Sequence, residues 1–495
     1  MALSKSQYVR GLQCRKSLWL YNHRKDLIPP TPPARQMIFE QGQEIGRLAW
    51  KRFPGGRLIE ADHLHGKEAL QATRAAVGDG AKILYEAAAF FDDVLVRVDI
   101  LVQNNDGSWD IIEVKSSTRV DEVHLKDLSI QRYVLEGGGF RIRKTCLMFI
   151  NNQYVRRGEI NVDQLFSMSD VTKEVSKLIK EVPANVKEFH KTVVLGEAPS
   201  VDIGAHCSDP HDCEFINYCW KHVPKNSIYD LAKISETVIS RLKAMGVLET
   251  KDIPEGFELT ETQAIQVKVA KTGQEHLEAG PIAKSLKGLS YPLHFLDFET
   301  INPAVPPYDR LRPYEQLPFQ ASIHIQKTDG GRIEHVEFLG DGKNDPRPGL
   351  AKCLVEVIGP KGSVIAYNAS FEGRCIAGLA DAFPGMSDRL LSIKERLWDV
   401  ADAFSKRHYV HPGFQGRWSL KAVLPTLAPS MAYDNLAIGG GTEAQLAYLN
   451  LMKGKYSDSE AVNLAADLKK YCGQDTLGMV ELLACLRRKL GRSTG

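Results

Sequence analysis

The sequence has no long apolar run, almost no net charge and few cysteines for its length. No stretch reaches the roughly 18 apolar residues that a membrane-spanning helix needs, and the N-terminus lacks the continuous apolar segment of a secretory signal. The 63 lysines and arginines nearly balance the 61 aspartates and glutamates, so any nucleic-acid partner must be bound by local basic patches. Nine cysteines in 495 residues are too sparse for a disulfide scaffold. These absences predict a soluble, cytoplasmic protein without a membrane partner.

The length and the hydrophobic pattern indicate several domains. A chain of 495 residues exceeds what one hydrophobic core usually supports. Strand-like runs dominate residues 1–222, amphipathic helices dominate residues 223–289, and residues 290–495 begin with strands and then turn helical. The helical connector loosely resembles half of a helix–hairpin–helix DNA binder, although ordinary helical packing is the simpler interpretation. The sequence therefore predicts a multidomain α/β protein.

Two acidic residues stand on the first strand of the C-terminal domain. Asp297 and Glu299 are two positions apart in the run HFLDFET, and the alternation of side chains along a strand puts both carboxylates on one face. Two adjacent carboxylates repel each other unless a cation lies between them. Hard cations such as Mg²⁺ prefer oxygen ligands, and paired divalent ions activate water in phosphodiester cleavage. A solvated strand end is the alternative interpretation for such a pair taken alone.

Further acidic residues follow in an order that is typical of one nuclease family. Asn368 and Glu372 lie at the start of a predicted helix, and Tyr471 and Asp475 are four apart on a later helix, so the last two share a helix face. This set resembles the DnaQ-like exonucleases of the RNase H-like fold, DEDDy subtype. The resemblance implies 3′→5′ exonuclease activity with Mg²⁺ or Mn²⁺, metal ligation by Asp297, Glu299 and Asp475, and a water-orienting role for Tyr471.

The second motif departs from the pattern of that family. Glu372 occupies the position where the family normally has aspartate, and its extra methylene moves the carboxylate by roughly a bond length. Because geometric errors of about 1 Å are costly in catalysis, the resemblance implies either a loosely held fourth ligand or reduced activity. Asp399 is a further candidate to cap or support this site, with a purely structural role as the alternative.

The N-terminal block contains a second group of ionisable residues. Asp99 interrupts an apolar strand, and burying an unpaired carboxylate is costly. Glu113 and Lys115 follow a hairpin turn at Asn105–Gly107 and share a face of the next strand. The three groups can bind a divalent ion and position a nucleophilic water. A cross-strand salt-bridge cluster is the alternative.

This spacing resembles the PD-(D/E)XK restriction-endonuclease-like fold, and in particular the RecB-type nucleases. The resemblance implies that Gln131 and Tyr133, on the following helix, contact DNA or brace the catalytic lysine. Such nucleases commonly have a metal-binding histidine four residues after a glycine, whereas Trp50 follows Gly46 here. Glu44 and Glu86 are candidate replacements, with a solvated surface position as the alternative for each.

Four cysteines flank this block. Cys14 precedes it, and Cys207, Cys213 and Cys219 follow it with two six-residue steps. Four thiolates suffice for a [4Fe–4S] cluster or a tetrahedral zinc ion, and zinc sites favour shorter spacings. The arrangement of one cysteine before the nuclease core and three after it resembles that of the CRISPR-associated RecB-like nucleases and AddB-type domains. In those proteins the iron–sulfur cluster is chiefly structural. Buried free thiols remain the alternative. The other cysteines are expected to be inert: Cys146, Cys353, Cys375, Cys472 and Cys485.

The whole chain thus looks like a bacterial fusion of an iron–sulfur RecB-like nuclease and a DnaQ-like exonuclease. The expected function is metal-dependent hydrolysis of DNA, at single strands or duplex ends, in repair, recombination or defence against foreign DNA. The alternatives are a nucleic-acid-binding scaffold with decayed sites and an RNA-processing exonuclease, since the acidic chemistry does not depend on the 2′-hydroxyl. Five basic residues are candidates for phosphate contact: Arg141, Arg143, Lys144, Arg156 and Arg157.

Overall fold

The computed structural model describes residues 2–61, 65–433 and 436–493. The chain forms two compact units. Unit 1 consists of Met1–His222 and Pro303–Tyr314, and unit 2 consists of Val223–Asn302 and Glu315–Gly495. Both contain helices and a mixed sheet, so the predicted class of a multidomain α/β protein is confirmed. The helical segment 223–289 belongs to unit 2.

Unit 1 is built around a sheet of seven strands. The strands are β1 (Leu3–Ser4), β2 (Arg57–Leu58), β3 (Ile83–Phe91), β4 (Val94–Gln103), β5 (Trp109–Lys115), β6 (Ile142–Ile150) and β7 (Phe166–Asp170). The helices are α1 (Lys5–Gln13), α2 (Arg15–His23), α3 (Pro33–Ala49), α4 (Gly66–Gly78), α5 (Glu122–Gly137), α6 (Val162–Leu165), α7 (Thr172–Leu178), α8 (Val182–Val193) and α9 (Ile216–Cys219). The strand order is β2-β3-β4-β5-β6-β7, with β1 pairing beside β4.

The predicted hairpin forms the centre of this sheet. Strands β4 and β5 are antiparallel, with Ile100 opposite Ile112, so Asp99 and Glu113 are the next residues along the two strands. Gly107 has φ +77 in the turn, which a glycine adopts without steric cost. The return strand β6 lies parallel to β5, and α5 connects the two in the manner of a crossover helix.

The described residues of unit 2 form seven further strands and ten α-helices. The strands are β8 (His276–Leu277), β9 (Leu293–Ile301), β10 (Leu317–Gln326), β11 (Ile333–Leu339), β12 (Ser363–Ala366), β13 (Leu397–Asp399) and β14 (Tyr409–Val410). The helices are α10 (Glu236–Ala244), α11 (Glu261–Thr272), α12 (Ala279–Lys287), α13 (Arg347–Ile358), α14 (Ala369–Ala382), α15 (Ser387–Glu395), α16 (Asp402–Ser405), α17 (Leu420–Leu427), α18 (Gly441–Met452) and α19 (Asp458–Ser493).

The main sheet of unit 2 has the order β11-β10-β9-β12-β13. Strands β9, β10 and β11 are antiparallel neighbours, and β12 and β13 continue the sheet in parallel with β9. On one face, Leu296 and Phe298 belong to a core with α13 and α14. On the other, Phe295 belongs to a core with α17 and α19. Because side chains alternate along a strand, Asp297 and Glu299 share the α19 face.

The segment before this sheet is helical, as the periodicity predicts. Helix α10 is followed by Gly246 with φ +74, and Ile239 and Leu242 are buried in a small apolar core. The helix ends at Ala244, and the next residue, Met245, is 54% exposed. Nowhere in the described parts of the chain is there a helix with the length and apolarity needed to cross a membrane.

Candidate functional site

The predicted acidic residues of unit 2 lie together. Each of Asp297, Glu299 and Asp475 offers one carboxylate oxygen, and these oxygens all lie within 4.8 Å of one another. Asp297 and Glu299 belong to β9, and Asp475 belongs to the face of α19 that packs on the sheet. Glu299 and Asp475 are each only 6% exposed. We call this group the acidic cluster.

The charges of the acidic cluster are poorly compensated by the protein. Burial and the neighbouring Asp475 raise the pKa of Asp297 well above its ordinary value. Burial and the charge of Asp297 do the same to the pKa of Glu299. Burial raises the pKa of Asp475 to about 6, although hydrogen bonds from tyrosines and a lysine charge oppose the shift. Carboxylates in this state fit a divalent cation, since oxygen ligands of full negative charge suit Mg²⁺ and Mn²⁺.

Glu372, in the first turn of α14, interacts electrostatically with Asp297 but is not part of the group of oxygens within 4.8 Å. The side chain is 2% exposed, and its Oε2 atom has no hydrogen-bond partner among the described residues. Burial raises the pKa of Glu372 well above its ordinary value, and the charge of Asp297 adds to the effect. An unpartnered buried carboxylate oxygen is costly, so Glu372 also fits a cation ligand.

Asp399 fixes the start of the helix that carries Glu372. Its two carboxylate oxygens accept hydrogen bonds from the backbone N–H groups of Asn368 and Ala369, each at 2.9 Å. A third bond, also 2.9 Å, comes from the backbone N–H of Ala401. A carboxylate at a helix N-terminus satisfies orphan N–H groups and complements the helix dipole. Asp399 therefore acts on this site through the position of α14.

Two tyrosines and a lysine adjoin Asp475. Tyr471 is predicted from the sequence and is 4% exposed. Tyr433 is not predicted: its hydroxyl donates a hydrogen bond to Oδ1 of Asp475. The Nζ of Lys421 lies 5.0 Å from the ring centre of Tyr471 and 5.4 Å from that of Tyr433. Neither Tyr433 nor Lys421 has a spacing relation to the three motifs, so local pattern gives no signal for them.

Cys472 is a further buried neighbour of this cluster. Its Sγ lies 3.5 Å from Oδ2 of Asp297, and burial and the charge of Asp297 raise the pKa of the thiol well above its ordinary value. The thiol is therefore a neutral hydrogen-bond donor to the carboxylate. Cys472 is fully buried.

The second predicted group lies in unit 1 and is also assembled. The Nζ of Lys115 is 2.7 Å from Oε1 of Glu113 and 2.7 Å from Oδ2 of Asp127. Asp99 accepts a 2.7 Å hydrogen bond from the backbone N–H of Val114. Burial and the charge of Glu113 raise the pKa of Asp99 to about 7. The predicted convergence of Asp99, Glu113 and Lys115 is thus present in the geometry.

A second lysine neutralises this group. Lys5, the first residue of α1, places its Nζ 2.9 Å from Oε1 of Glu113 and 3.5 Å from Oδ1 of Asp127. Gln131 donates to Oε2 of Glu113 at 2.8 Å. Burial alone raises the pKa of Glu113, but the charges of Lys115 and Lys5 outweigh it and the pKa is lowered. Both oxygens of Glu113 are therefore occupied by partners from the protein.

Two other residues singled out in the sequence of unit 1, Tyr133 and Trp50, contact different partners from those around Glu113. Tyr133 donates to Oδ2 of Asp92 at 2.9 Å and packs against Phe91, because residues two apart on a helix do not share a face with Gln131. Trp50 stacks on Tyr85 with ring centres 4.8 Å apart.

The two acids that could replace the missing histidine have different surroundings. Glu44 is exposed on α3. Glu86 has φ +58 and lies 3.4 Å from Arg97. Burial raises the pKa of Glu86, and the positive charges of Arg97 and Lys5 oppose the shift. Of the two, Glu86 therefore lies nearer to the ionisable group around Glu113.

The basic residues proposed for phosphate contact are mostly paired with acids. Arg141 lies 3.2 Å from Asp106, Arg143 lies 2.5 Å from Asp110, and Lys144 lies 3.3 Å from Asp170. Arg156 donates to the carbonyls of Pro306 and Pro307, and Arg157 is exposed. The first three flank the start of β6, whereas Lys115 pairs with Phe149 near its end. The register therefore separates them from the candidate site by several residues of strand.

The four predicted cysteines line one cavity in unit 1. Its other walls include Leu20, Ile203 and Phe215. Burial raises the pKa of Cys14, and the neighbouring sulfurs of Cys213 and Cys207 add to the effect. Among the described residues, no three of these sulfurs lie within 4.8 Å of one another. Ligand sulfurs of a tetrahedral zinc ion lie about 4 Å apart, so these sulfurs do not have the spacing of such a site.

The sequence is similar to a family without a known function. Residues 294–419 match the family described as a domain of unknown function, DUF2779. This stretch includes Asp297, Glu299, Glu372 and Asp399, and it ends before Tyr471 and Asp475.

Several bacterial proteins are similar over longer stretches. The chain is 26% identical to uncharacterized protein UU173 of Ureaplasma parvum serovar 3, over 51% of this chain and 39% of that protein. It is 25% identical to the uncharacterized MG366 homolog of Mycoplasma pneumoniae, over 38% of this chain and 31% of that protein. The chain therefore spans less than half the length of these curated relatives. The crystal structure of SSO0001 matches 43% of this chain and 97% of that one at 16% identity, but with a TM-score of 0.17 the likeness carries no structural argument.

Proposed function

We propose that this chain is a divalent-metal-dependent nuclease that hydrolyses phosphodiester bonds of DNA and that its principal active site is the acidic cluster of unit 2. The observation that carries the proposal is the gathering of oxygens from Asp297, Glu299 and Asp475 within 4.8 Å. Three carboxylates at this spacing, two of them buried and that of Asp297 half-buried, repel one another, and cations relieve the repulsion. The strand order of unit 2, three antiparallel strands followed by two parallel ones, supports an RNase H-like fold. Action from 3′ ends is proposed on the resemblance of the acidic motifs to DEDDy exonucleases.

The residues have separate roles in this proposal. Asp297, Glu299 and Asp475 would hold Mg²⁺ or Mn²⁺, with Glu372 as the fourth carboxylate. The bound ions would supply an activated water and stabilise the leaving oxygen. Tyr471 would orient the attacking water through its hydroxyl, and Tyr433 holds Asp475 in place by its hydrogen bond. Asp399 positions Glu372 through the start of α14.

Unit 1 would form a second, RecB-like nuclease site in the same enzyme. Asp99, Glu113 and Lys115 are the proposed catalytic residues, supported by Gln131. Because Lys5 and Lys115 both occupy Oε1 of Glu113, a cation can bind there only if one of them moves away. This self-neutralised state also favours a second candidate function, in which unit 1 binds nucleic acid without cleaving it.

A [4Fe–4S] cluster is the proposed occupant of the cysteine cavity. Cys14, Cys207, Cys213 and Cys219 would be its ligands, and its role would be structural. Support comes from the cavity that the four cysteines share. DNA repair, recombination or defence against foreign DNA is the proposed setting.

The test is a cleavage assay on end-labelled DNA and RNA, single- and double-stranded, with Mg²⁺ or Mn²⁺. Wild type is compared with Asp297→Ala and Lys115→Ala, and with Asp381→Ala, an exposed carboxylate on α14, as the matched control. We expect Asp297→Ala to abolish digestion from 3′ ends and Asp381→Ala to behave as wild type. An intact substrate with wild type under all conditions contradicts the proposal. Loss of all cleavage in Asp297→Ala alone assigns unit 1 as a binding module, and preferred cleavage of RNA assigns RNA processing.

A further inference from the structure

A buried aspartate on α5 adjoins the ionisable group of unit 1. Asp127 is 6% exposed and lies four residues before Gln131 on α5, so the two side chains share a helix face. Because Gln131 donates to Glu113 on β5, this face is the one directed at the candidate site. The sequence motifs of unit 1 assign Asp127 no role, but a carboxylate buried to this extent needs charged or hydrogen-bonding partners.

Three side chains contact both Asp127 and Glu113. The Nζ of Lys115 is 2.7 Å from Oδ2 of Asp127 and 2.7 Å from Oε1 of Glu113. The Nζ of Lys5 is 3.5 Å from Oδ1 of Asp127 and 2.9 Å from Oε1 of Glu113. The Nε2 of Gln131 donates to Oδ1 of Asp127 at 3.3 Å and to Oε2 of Glu113 at 2.8 Å. Asp127 therefore shares these partners with the glutamate at which a cation would bind.

The two carboxylates receive the ammonium groups differently. On Glu113 both lysines contact the same oxygen, Oε1, whereas Asp127 presents Oδ1 to Lys5 and Oδ2 to Lys115. Lys5 needs to approach Oδ1 by only about 0.7 Å to reach the roughly 2.8 Å of a charge-assisted hydrogen bond, and its four-carbon stem is flexible. Asp127 can thus bind both ammonium groups at once and leave Oε1 of Glu113 free.

Asp127 also has the larger electrostatic effect on the two lysines. Burial lowers the pKa of Lys5, but the charges of Asp127 and Glu113 outweigh burial and raise it. The pKa of Lys115 is raised well above its ordinary value by the same charges, again against the effect of burial. At both lysines the effect of Asp127 on the pKa exceeds that of Glu113. The ammonium groups therefore keep a strong counter-ion when a cation takes up the charge of Glu113.

We propose that Asp127 is a positioning residue of the unit 1 site, which holds the ammonium groups of Lys5 and Lys115 when a divalent cation binds Glu113. The inference rests on the proposed function of unit 1 and identifies where the displaced ammonium group goes. A buried ammonium group without a counter-ion destabilises the protein, and Asp127 prevents that state when the cation binds. Lys115 stays beside the cation, where it can position the attacking water.

The test measures binding of Mn²⁺ to the full chain by calorimetry. The parent for all variants contains Asp297→Ala and Glu299→Ala, which remove the acidic cluster of unit 2 as a binding site. Asp127→Asn, Lys5→Met and the combination of the two are compared with this parent. Thermal unfolding in EDTA shows whether each variant is folded.

The matched control is Lys126→Met, alone and together with Asp127→Asn. Lys126 lies on the same helix as Asp127 but pairs with Glu122 at 2.7 Å. Its removal therefore restores the net charge that Asp127→Asn changes, without removing an ammonium group from Glu113. This control separates the specific role of Lys5 from the effect of overall charge.

We expect Asp127→Asn to raise the Kd of Mn²⁺ by roughly 10- to 100-fold, the usual effect of losing a residue that supports a metal ligand. Lys5→Met should lower Kd, and its combination with Asp127→Asn should recover most of the lost affinity. Asp127→Asn with Lys126→Met should stay as weak as Asp127→Asn alone. If Asp127→Asn alone does not fold, the same substitution is compared within Lys5→Met, where it should change Kd far less than a lost ligand does.

An unchanged Kd in Asp127→Asn overturns the inference. A loss of affinity that Lys5→Met fails to restore also overturns it, because Asp127 is then a direct ligand or a purely structural residue. A parent that binds no Mn²⁺ in unit 1 has the same consequence. Failure of the proposed function appears separately: the expected pattern of Kd values in a parent that leaves DNA uncut supports the inference and contradicts only cleavage by unit 1.

Discussion

Replacing Asp475 by asparagine should stabilise the protein when no divalent cation is bound. The carboxylate is 6% exposed and lies within 4.8 Å of oxygens from Asp297 and Glu299. Asparagine keeps the shape and still accepts the hydrogen bond from Tyr433, but it removes one of the crowded charges. A residue that a cation site needs is thus expected to destabilise the cation-free fold.

The magnitude follows from the pKa of Asp475. Burial raises it from 3.8 to about 6, a difference that corresponds to about 3 kcal/mol. The pKa of Asp475 is higher in the folded state than in the unfolded state, so ionisation of this carboxyl destabilises the fold. This destabilisation is absent at pH values well below 3.8 and complete above about pH 6. The hydrogen bond from Tyr433 to an uncharged amide is weaker by about 1 kcal/mol. We therefore expect a net gain of about 2 kcal/mol at pH 8.

The assay is thermal unfolding of the full chain in EDTA at pH 8 and at pH 4. For a unit of this size, a gain of 2 kcal/mol raises Tm by roughly 4–8 °C. Asp475→Asn should show this rise at pH 8 and little change at pH 4. Adding Mn²⁺ should raise Tm of the wild type and leave the variant almost unchanged. Asp381→Asn serves as the control. A lower Tm for Asp475→Asn in EDTA at pH 8 would refute the view that these carboxylates strain the cation-free fold.

Three further predictions concern the remaining candidate residues. Glu372→Ala should lower kcat for digestion from 3′ ends by roughly 100-fold, as expected for a misplaced metal centre, whereas Glu372→Asp should stay within tenfold of wild type; an unchanged rate in the alanine variant removes Glu372 from the site. Lys5→Met should destabilise unit 1 by about 2 kcal/mol, between the values for exposed and buried ion pairs, and should enlarge the Tm increase caused by Mn²⁺ because Glu113 loses a competitor; a smaller increase speaks against cation binding there. Anaerobically purified wild type should contain about four irons per chain, Cys219→Ser should contain fewer, and Cys353→Ser should match wild type; zinc without iron contradicts the cluster.

The sequence predicts those parts of the sites that depend on local periodicity. Asp297 and Glu299 alternate with apolar residues on one strand, so their common face follows from the period of two. The four-residue spacing of Tyr471 and Asp475 gives a common helix face in the same way. Asp99 is detectable because a carboxylate within an apolar strand needs a partner. In each case a short stretch of sequence contains the whole geometric relation.

Residues brought in by tertiary structure are not predictable in this way. Lys5 contacts a glutamate 108 positions away, and nothing in the N-terminal sequence distinguishes it from other lysines. Tyr433 and Lys421 come from a loop and a helix between the second and third motifs, where the sequence has no fixed spacing to Asp475. Gln131 and Tyr133 belong to one sequence motif, but the helix directs Gln131 to Glu113 and Tyr133 to Asp92.

The two candidate sites use similar residue types but differ in how their charges are balanced. In unit 1, Lys5 and Lys115 both lie within 2.9 Å of Glu113, so the carboxylate is already neutralised by the protein. In unit 2, burial raises the pKa values of Asp297, Glu299 and Glu372 well above their ordinary ones, and neighbouring carboxylates add to the effect. The charge of Lys421 opposes the shift at Asp297 and Glu299 without reversing it. A cation entering unit 2 relieves repulsion, whereas a cation entering unit 1 must first displace an ammonium group. As the concentration of Mn²⁺ rises, the acidic cluster should therefore fill before the site of unit 1.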